Sequence, residues 1–331
     1  MTLPDPQRTK LRSSGLFTGA LFASPWLLGF VLLVLFPFAA SLYWSFCQYD
    51  MVNPPKFVGL ANYERLFDEF ASGEGVGKAV FNTFYYSILS VPLSIAVGLV
   101  LAKFLSWNVR GQAIYRTIFF LPSIIPIVAA SILWVWLLDP QDGLINYLLS
   151  FVGMGEQNWL KQGREAISGE TVTVLGDSIR SGSPLRIFGS KDAMVLIAVW
   201  SVGNWIVIYL AAMGDIPKPL YESAEIDGFN GLRKFWHITL PMLSPVIFFN
   251  LVMGLIRSVQ AFTSFYIISE GTGSPNESML VLSLHLFLSA FSDLDMGYAS
   301  AIAWVLFLVL VVSTLALFRT SKHWVHYRGA T

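Results

Sequence analysis

Tyr221–Pro241 reads YESAEIDGFNGLRKFWHITLP, and these positions put five charged residues, a histidine and two glycines into a chain that is otherwise strongly apolar. Just upstream, Pro219 suits a first helical turn and Glu222 follows it near the positive end of the helix dipole. The spacing predicts a short helix on which Leu220, Tyr221 and Ala224 form one apolar face, with Glu222, Glu225 and Asp227 around the rest. Such a helix is amphipathic without being apolar enough to enter a bilayer. Gly228 is placed to take the left-handed conformation that ends a helix, and Asn230 with Gly231 makes a further turn. The chain restarts at Leu232, and a basic, aromatic segment, LRKFWHITLP, returns it to an apolar run that Pro241 introduces.

The surrounding composition says what kind of chain keeps such a block. Of 331 residues, 55 % are hydrophobic and only 13 % charged, with mean hydropathy +0.61, the profile of an integral membrane protein. A bilayer core of roughly 30 Å asks for about 20 apolar residues in a helix. Six runs free of Asp, Glu and Lys qualify: Leu16 to Phe46, Ala79 to Ala102, Thr117 to Leu138, Ala193 to Gly214, Met242 to about Ile268 with an interruption at Arg257, and Gly297 to Phe318. Met279 to Phe291 is also apolar, but its length reads as interfacial or re-entrant. The basic leader before the first run raises the alternative of a cleaved signal peptide with Ala39, Ala40 and Ser41 as its small-residue site; the apolar core is too long for that, so a retained helix is expected.

Charge fixes the expected sidedness. With six spans and both termini cytoplasmic, the inside segments hold twelve of the 21 Lys and Arg residues and five of the 21 Asp and Glu residues, which obeys the positive-inside rule. The expected organisation is a cytoplasmic tail over 1–15, a first transmembrane helix over 16–46 and a domain of spans two to six over 79–318. That domain would hold a cytoplasmic loop at 215–241 and an extracytoplasmic loop at 151–192, and a second cytoplasmic tail would cover 319–331. The opening stretch thus falls between spans four and five, on the side where ATP is.

At this point the residues resemble a known pattern. Glu222, Ala224, Gly228, Ile238, Leu240 and Pro241 match the EAA signature of ABC importer permeases, with Ser223 in place of its first alanine. Tyr221, Ile226 and Asp227 fit the form found in the carbohydrate-uptake branch. SPWLLGFVLLVLFPFAASLYWSF, FVGLANYERLF, YRTIFFLPSIIPIVAASILWVWLLDPQDGLINYLL and MGYASAIAWVLF also resemble sugar permeases, so the likeness runs from Ser24 to Phe318. It implies an all-α fold of six transmembrane helices, the type I importer permease fold, in a multi-pass protein of the cell membrane. It further implies a second six-span permease, a cytoplasmic ATPase dimer and an extracytoplasmic solute-binding protein as partners. Residues Leu220, Tyr221, Glu222, Ala224, Asp227, Gly228, Ile238, Leu240 and Pro241 would form the loop that docks the ATPase.

The chain contains no G-x-x-x-x-G-K-[ST], so ATP would be used by the partner and no cofactor bound here. Polar groups inside spans are the candidates for a substrate path, because each costs free energy in lipid unless it faces protein or water. Asn250, Arg257 and Gln260 lie near one stripe of span five, at depths that place Asn250 roughly 12 Å and Arg257 roughly 22 Å from the cytoplasmic edge. Trp200 and Asn204 in span four, and Asn82, Tyr85 and Tyr86 in span two, fall at middle to outer depth. Aromatic faces and neutral amides suit a carbohydrate, whereas a phosphorylated substrate asks for more than one cation. A glycerol-phosphate importer is the alternative reading. Against these roles stand outward snorkelling or a neighbouring subunit for Arg257, and an interfacial belt for the tyrosines.

Other function classes fit poorly. An ion-coupled carrier or an intramembrane enzyme would use a carboxylate or histidine inside the bilayer, and the six runs hold none. No basic stripe points to nucleic acid, Cys47 is the sole cysteine, and no Cys/His cluster has metal-ligand spacing; His323 and His326 belong to a basic tail. Two stretches depart from the resembled pattern. Loop 151–192 is longer, with alternation in ETVTVL and PLRIFG that hints at a hairpin, and Glu270–Ser278, EGTGSPNES, stands where a more regular Gly-Gly-Pro is usual.

Overall fold

The computed structural model describes residues 6–107, 111–153, 159–160, 171–174, 177–180, 189–274 and 276–326, with side chains described from Thr18 onward and outside the 171–180 segment. The chain opens with α1 (Pro6–Phe30), a π-helical turn (Val31–Leu35) and α2 (Phe36–Ser45). A two-residue ladder of β1 (Cys47–Gln48) and β2 (Lys56–Phe57) leads to α3 (Ala61–Ser72) and the long α4 (Val76–Ser106). Then come α5 (Gln112–Phe120), a 3-10 turn (Leu121–Ile124), α6 (Ile127–Leu137) and α7 (Leu144–Ser150). The strands β3 (Thr171–Val174) and β4 (Asp177–Arg180) pair antiparallel with Val174 opposite Asp177. They are followed by α8 (Ser190–Trp200), α9 (Gly203–Gly214), α10 (Lys218–Ile226) and α11 (Gly231–Lys234). A second π turn (Phe235–Thr239) joins α11 to α12 (Leu240–Val259), and α13 (Thr263–Ile268), α14 (Leu282–Phe291) and α15 (Met296–Ser321) complete the fold. Thr171–Val174 of the expected ETVTVL half is a strand and pairs with 177–180; the rest of that half and the PLRIF portion of its expected partner lie outside the described residues.

Four helical runs are long and apolar enough to cross a membrane, and the total reaches six when each of two bent pairs is taken as one span. Those pairs correct the expectation of unbroken helices over Thr117–Leu138 and Ala193–Gly214. The first turns by 101° between Ile124 and Ile127, the second by 43° between Trp200 and Gly203. Pro126 accounts for the first break: it has no N–H to donate, and Ile125 before it is extended (φ −67°, ψ 129°), whereas Pro122 sits in the first turn of the 3-10 segment with Leu121 still helical.

Elsewhere proline is absorbed rather than obeyed. Each π turn stops one residue short of a Leu-Pro or Phe-Pro pair, so that Pro37 and Pro241 occupy the second position of the α-helix that follows. The wider turn relieves the clash between the proline ring and the carbonyl one turn back. The helical run that contains the fifth apolar stretch accordingly begins at Gly231, ahead of Pro241. Helix α1 likewise reaches back to Pro6, into the segment expected to be a tail.

α4 lies at the centre, packed by α8, α9, α12 and α14. One apolar core gathers Val76, Trp134, Met194, Phe265 and Tyr298 at the end where α4 begins, and another gathers Val91, Leu99, Ile206, Tyr209 and Leu243 toward its other end. α2 attaches through α15, where Phe38 packs against Trp304 at 4.7 Å and the Trp304 indole donates to Ser41. No residue of the most apolar 18-residue window within Thr18–Ser45 is buried by this chain, the surface a lipid-facing helix presents.

Candidate functional site

Two features stand out, at different levels of the bundle. The first is the loop after α9. Ile216 is buried, Pro217 occupies the N-cap and Pro219 the first turn of α10. Its C-terminal end closes as a Schellman turn: Gly228, at φ +74°, donates to Glu225 O (3.0 Å) while Phe229 donates to Ala224 O (2.8 Å). Asn230 then caps α11, its side chain accepting from Arg233 N at 2.8 Å. The helix–turn–helix is fastened to itself by the Glu225–Lys234 ion pair and by the Tyr221 hydroxyl, 2.9 Å from Thr239 Oγ1. Phe229 packs edge-on against His237, whose Nδ1 meets Arg233 O at 3.0 Å.

This folding divides the expected apolar face. Ala224 is 6 % exposed and packed inward, and Tyr221 is half-buried, so neither presents itself to a partner. Leu220 faces out, and beside it Ile226 (88 % exposed), Leu232 and Trp236 do too. Glu222, Asp227 and Gly228 are exposed, whereas Ile238, Leu240 and Pro241 are half-buried in the helical run that continues into α12. Ile226, Leu232 and Trp236 were not among the expected anchors; their exposure follows from the Schellman turn and the second helix it starts, which helical periodicity over 220–224 does not describe.

The second feature is a cavity of about 510 Å3 where α4, α12 and three helix interruptions meet. Tyr86, Ser90 and Ser94 line it from α4, Arg257 and Ser258 from α12, Gln260 and Phe262 from the break before α13, and Ser201 and Trp205 from the bend around Ser201–Val202. A second cavity of about 240 Å3 shares Tyr86, Ser201 and Ser264 with the first and adds Trp200, Asn204 and the Pro122–Ile125 turn. Non-helical backbone at membrane depth is stable only where protein or a cavity surrounds it, and here all three breaks open onto the same space. Gly254 keeps that space from closing: a Cβ there would meet Trp205 and Val91 at 3.0 Å.

Of the residues expected along a path, Tyr86, Trp200, Asn204, Arg257 and Gln260 converge on these two cavities. Asn82, Tyr85 and Asn250 do not line them. Asn82 is buried and donates to the carbonyls of Glu277 (2.8 Å) and Leu280 (2.9 Å), while Thr83 accepts from Leu282 N. These side chains satisfy the non-helical backbone before α14. The Tyr85 hydroxyl donates to Asp192 Oδ1 at 2.6 Å, and its ring lies beneath the Lys191 ammonium. Asn250 is buried against Tyr209 of α9. The hydroxyl lining was missed. Its signal was Ser87, Ser90 and Ser94 at spacings of three and four, one stripe of α4, with Ser258 Oγ donating to Ser87 across it.

Apolar helices around a hydroxyl-lined cavity are the build of a multi-pass membrane protein with a polar interior space; its relatives identify it as a transport permease, not an enzyme. The chain belongs to the family of binding-protein-dependent transport system inner membrane components, whose model matches residues 94–323; such permeases have no cofactor of their own. It is 39 % identical to a probable ABC transporter permease, YesP of Bacillus subtilis (strain 168), over 94 % of this chain and 92 % of that protein. It is 30 % identical to the arabinooligosaccharides transport system permease AraP of the same organism (91 % and 87 % covered). It is 29 % identical to the sn-glycerol-3-phosphate permease UgpA of Yersinia enterocolitica serotype O:8 / biotype 1B (strain NCTC 13174 / 8081) (89 % and 90 % covered). In fold it is similar to a bacterial ABC transporter involved in the import of the acidic polysaccharide alginate, with TM-score 0.72, 22 % identity and coverage of 96 % of this chain and 99 % of that one. This is the type I importer permease fold.

Proposed function

We propose that the chain is one of two permeases in an ATP-driven carbohydrate importer, with both termini on the cytoplasmic side. A second six-span permease would complete the path, an ATPase dimer would dock on the 215–241 loop, and a solute-binding protein would deliver cargo from outside. The observation that carries this reading is the loop itself. One side of α10 is fixed to the helical run of α12 through Tyr221–Thr239 and Glu225–Lys234, while Leu220, Ile226, Leu232 and Trp236 face outward. A push on the outer side therefore reaches α12, which lines the cavity. Apolar anchors with acidic neighbours suit helix-in-groove docking.

Carbohydrate fits the cavity because serine hydroxyls and Gln260 match sugar hydroxyls and Tyr86, Trp205 and Phe262 offer faces for C–H stacking. An arabinooligosaccharide permease stands among the relatives. The glycerol-phosphate reading has a relative of its own, but a phosphate ester carries close to two negative charges and the two cavities offer one cation.

The test is Gly228→Glu in the assembled importer, reconstituted in vesicles, beside Gly228→Asn. Glutamate at φ +74° strains the turn and adds charge to the outer side; asparagine tolerates the conformation. Uptake should collapse in the first while ATP hydrolysis persists, and survive in the second. Unimpaired uptake with Gly228→Glu would refute the coupling role.

A further inference from the structure

The carbohydrate path proposed above contains one charge, and it has no counter-ion. Among the described residues, Arg257 is the only ionisable acid or base lining either cavity apart from the tyrosine hydroxyl. It takes part in none of the ion pairs found there, which join Arg65, Lys78, Lys234 and His285 to carboxylates elsewhere. A guanidinium at membrane depth costs several kcal/mol unless an anion or water compensates it. Arg257 is exposed, Ser258 and Thr263 line the same cavity, and among the described residues no acid does.

We infer that Arg257 receives a carboxylate of the substrate, so that the cargo is an acidic saccharide, one built with uronate units, in preference to a neutral one. This rests on the carbohydrate reading and sharpens it. The planar guanidinium pairs with a carboxylate through two parallel hydrogen bonds, and the two charges cancel. With a phosphate ester, which carries close to two negative charges, this one exposed guanidinium leaves one charge without a cationic partner among the described lining residues. Gln260 is three residues on, at the helix end, and lines the same cavity. Its amide can bond the ring hydroxyls next to a carboxyl, while Tyr86 and Trp205 take the apolar faces. Arg257 thus acts as a specificity residue, reading charge, and the hydroxyl lining accepts the sugar generally.

The experiment uses the whole importer in vesicles, with its own solute-binding protein, and three probes: a hexuronate trisaccharide, the same trisaccharide with its carboxyls reduced to hydroxymethyl groups, and glycerol phosphate. The quantity read is the ratio of acidic to neutral uptake in wild type, Arg257→Gln and Arg257→Lys. The binding protein is common to all three, so its own preference cancels in the comparison. Loss of the bidentate pair should lower the ratio by about tenfold or more in Arg257→Gln, with lysine, a point charge, falling between. Glycerol phosphate should compete poorly in every variant. A ratio unchanged by Arg257→Gln overturns the inference and leaves the carbohydrate reading standing. So does loss of the second permease on purification of Arg257→Gln, which would show that the arginine meets an acid of that subunit. Failure of the wild type to take up either trisaccharide overturns the carbohydrate reading and the inference with it.

Discussion

The Tyr221 hydroxyl lies 2.9 Å from Thr239 Oγ1, joining α10 to the π turn that feeds α12 across eighteen residues of sequence. Thr239 is buried, so the pair is shielded from water that would otherwise replace it. A single such bond contributes about 1 kcal/mol net, little for stability in a bundle this size but enough to change how firmly two elements move together.

Tyr221→Phe and Thr239→Val should each leave expression and membrane insertion near normal while lowering the uptake obtained per ATP hydrolysed. Because both remove one contact, the double variant should be no worse than either single one. Additive losses in a vesicle assay would show that the two side chains act separately.

Legibility followed the physics of each signal. The 215–241 loop was readable because capping is local: Pro219 and Gly228 define their turn by their own backbone limits, and both stand where expected. The apolar runs were readable because apolar length is additive, and they form four long helices and two bent pairs. The bends went unread, although the prolines of LPSIIP are a local signal for the first, while SVG looks like ordinary apolar sequence until packing decides where it turns. The cavity was half readable. Arg257 and Gln260 announced themselves by polarity, but Asn82, equally polar, serves a backbone almost two hundred positions away, a partner no local pattern contains. Serines passed unnoticed because inside a helix they can satisfy themselves on the carbonyl one turn back, as Ser131 does on Ile127.

Gly254 leads to a second prediction. A methyl group there would sit 3.0 Å from both the Trp205 ring and Val91 Cγ1, so one of them must shift. Overpacking of this kind costs about 1–3 kcal/mol. Gly254→Ala should lower the melting temperature in detergent modestly, and Gly254→Leu, which also projects into the cavity, should abolish uptake while the protein still reaches the membrane. Normal uptake by the leucine variant would mean that substrate travels elsewhere.

Acid should loosen the end of the bundle where α3, α14 and α15 meet. Burial pushes the His285 imidazole below its ordinary value, outweighing the attraction of Glu69, 3.7 Å away, and of Asp293. Burial raises the Glu69 carboxyl, but the nearby Tyr298 hydroxyl and hydrogen bonds from the Val76 N–H and Arg65 outweigh it, and the net shift is downward. Both signs point the same way. A histidine depressed in the fold contributes fully above its unfolded value and loses that contribution as pH falls below it; a depressed carboxylate does the same lower down. Melting temperature should therefore fall from about pH 6.5 downward as His285 protonates in the unfolded chain, and again below about 4.5 for Glu69. His285→Gln should flatten the first stage alone. A pH profile of thermal unfolding for wild type, His285→Gln and Glu69→Gln checks this, and identical profiles would exclude the pair as the source.

Asn82 separates framework from path. Its amide donates to the Glu277 and Leu280 carbonyls, at 2.8 and 2.9 Å, where the chain runs in non-helical form beside α4 with Met279 and Val281 fully buried. Asn82→Ala deprives the buried Leu280 carbonyl of its donor, a cost of about 1–3 kcal/mol when a group is left unsatisfied, while the Glu277 carbonyl keeps the Leu280 N–H at 3.1 Å. Asn82→Asp is worse in kind, since a carboxylate accepts and cannot donate, and it would face those carbonyls with like partial charge. Both variants should thus lose thermal stability and yield, the aspartate more, while any protein that does fold keeps the wild-type order of substrates. Variants of Gln260 should do the reverse, altering substrate affinity with little change in melting temperature. If Asn82→Ala instead shifts substrate preference at unchanged stability, the segment it holds must move during transport and Asn82 belongs to the path after all.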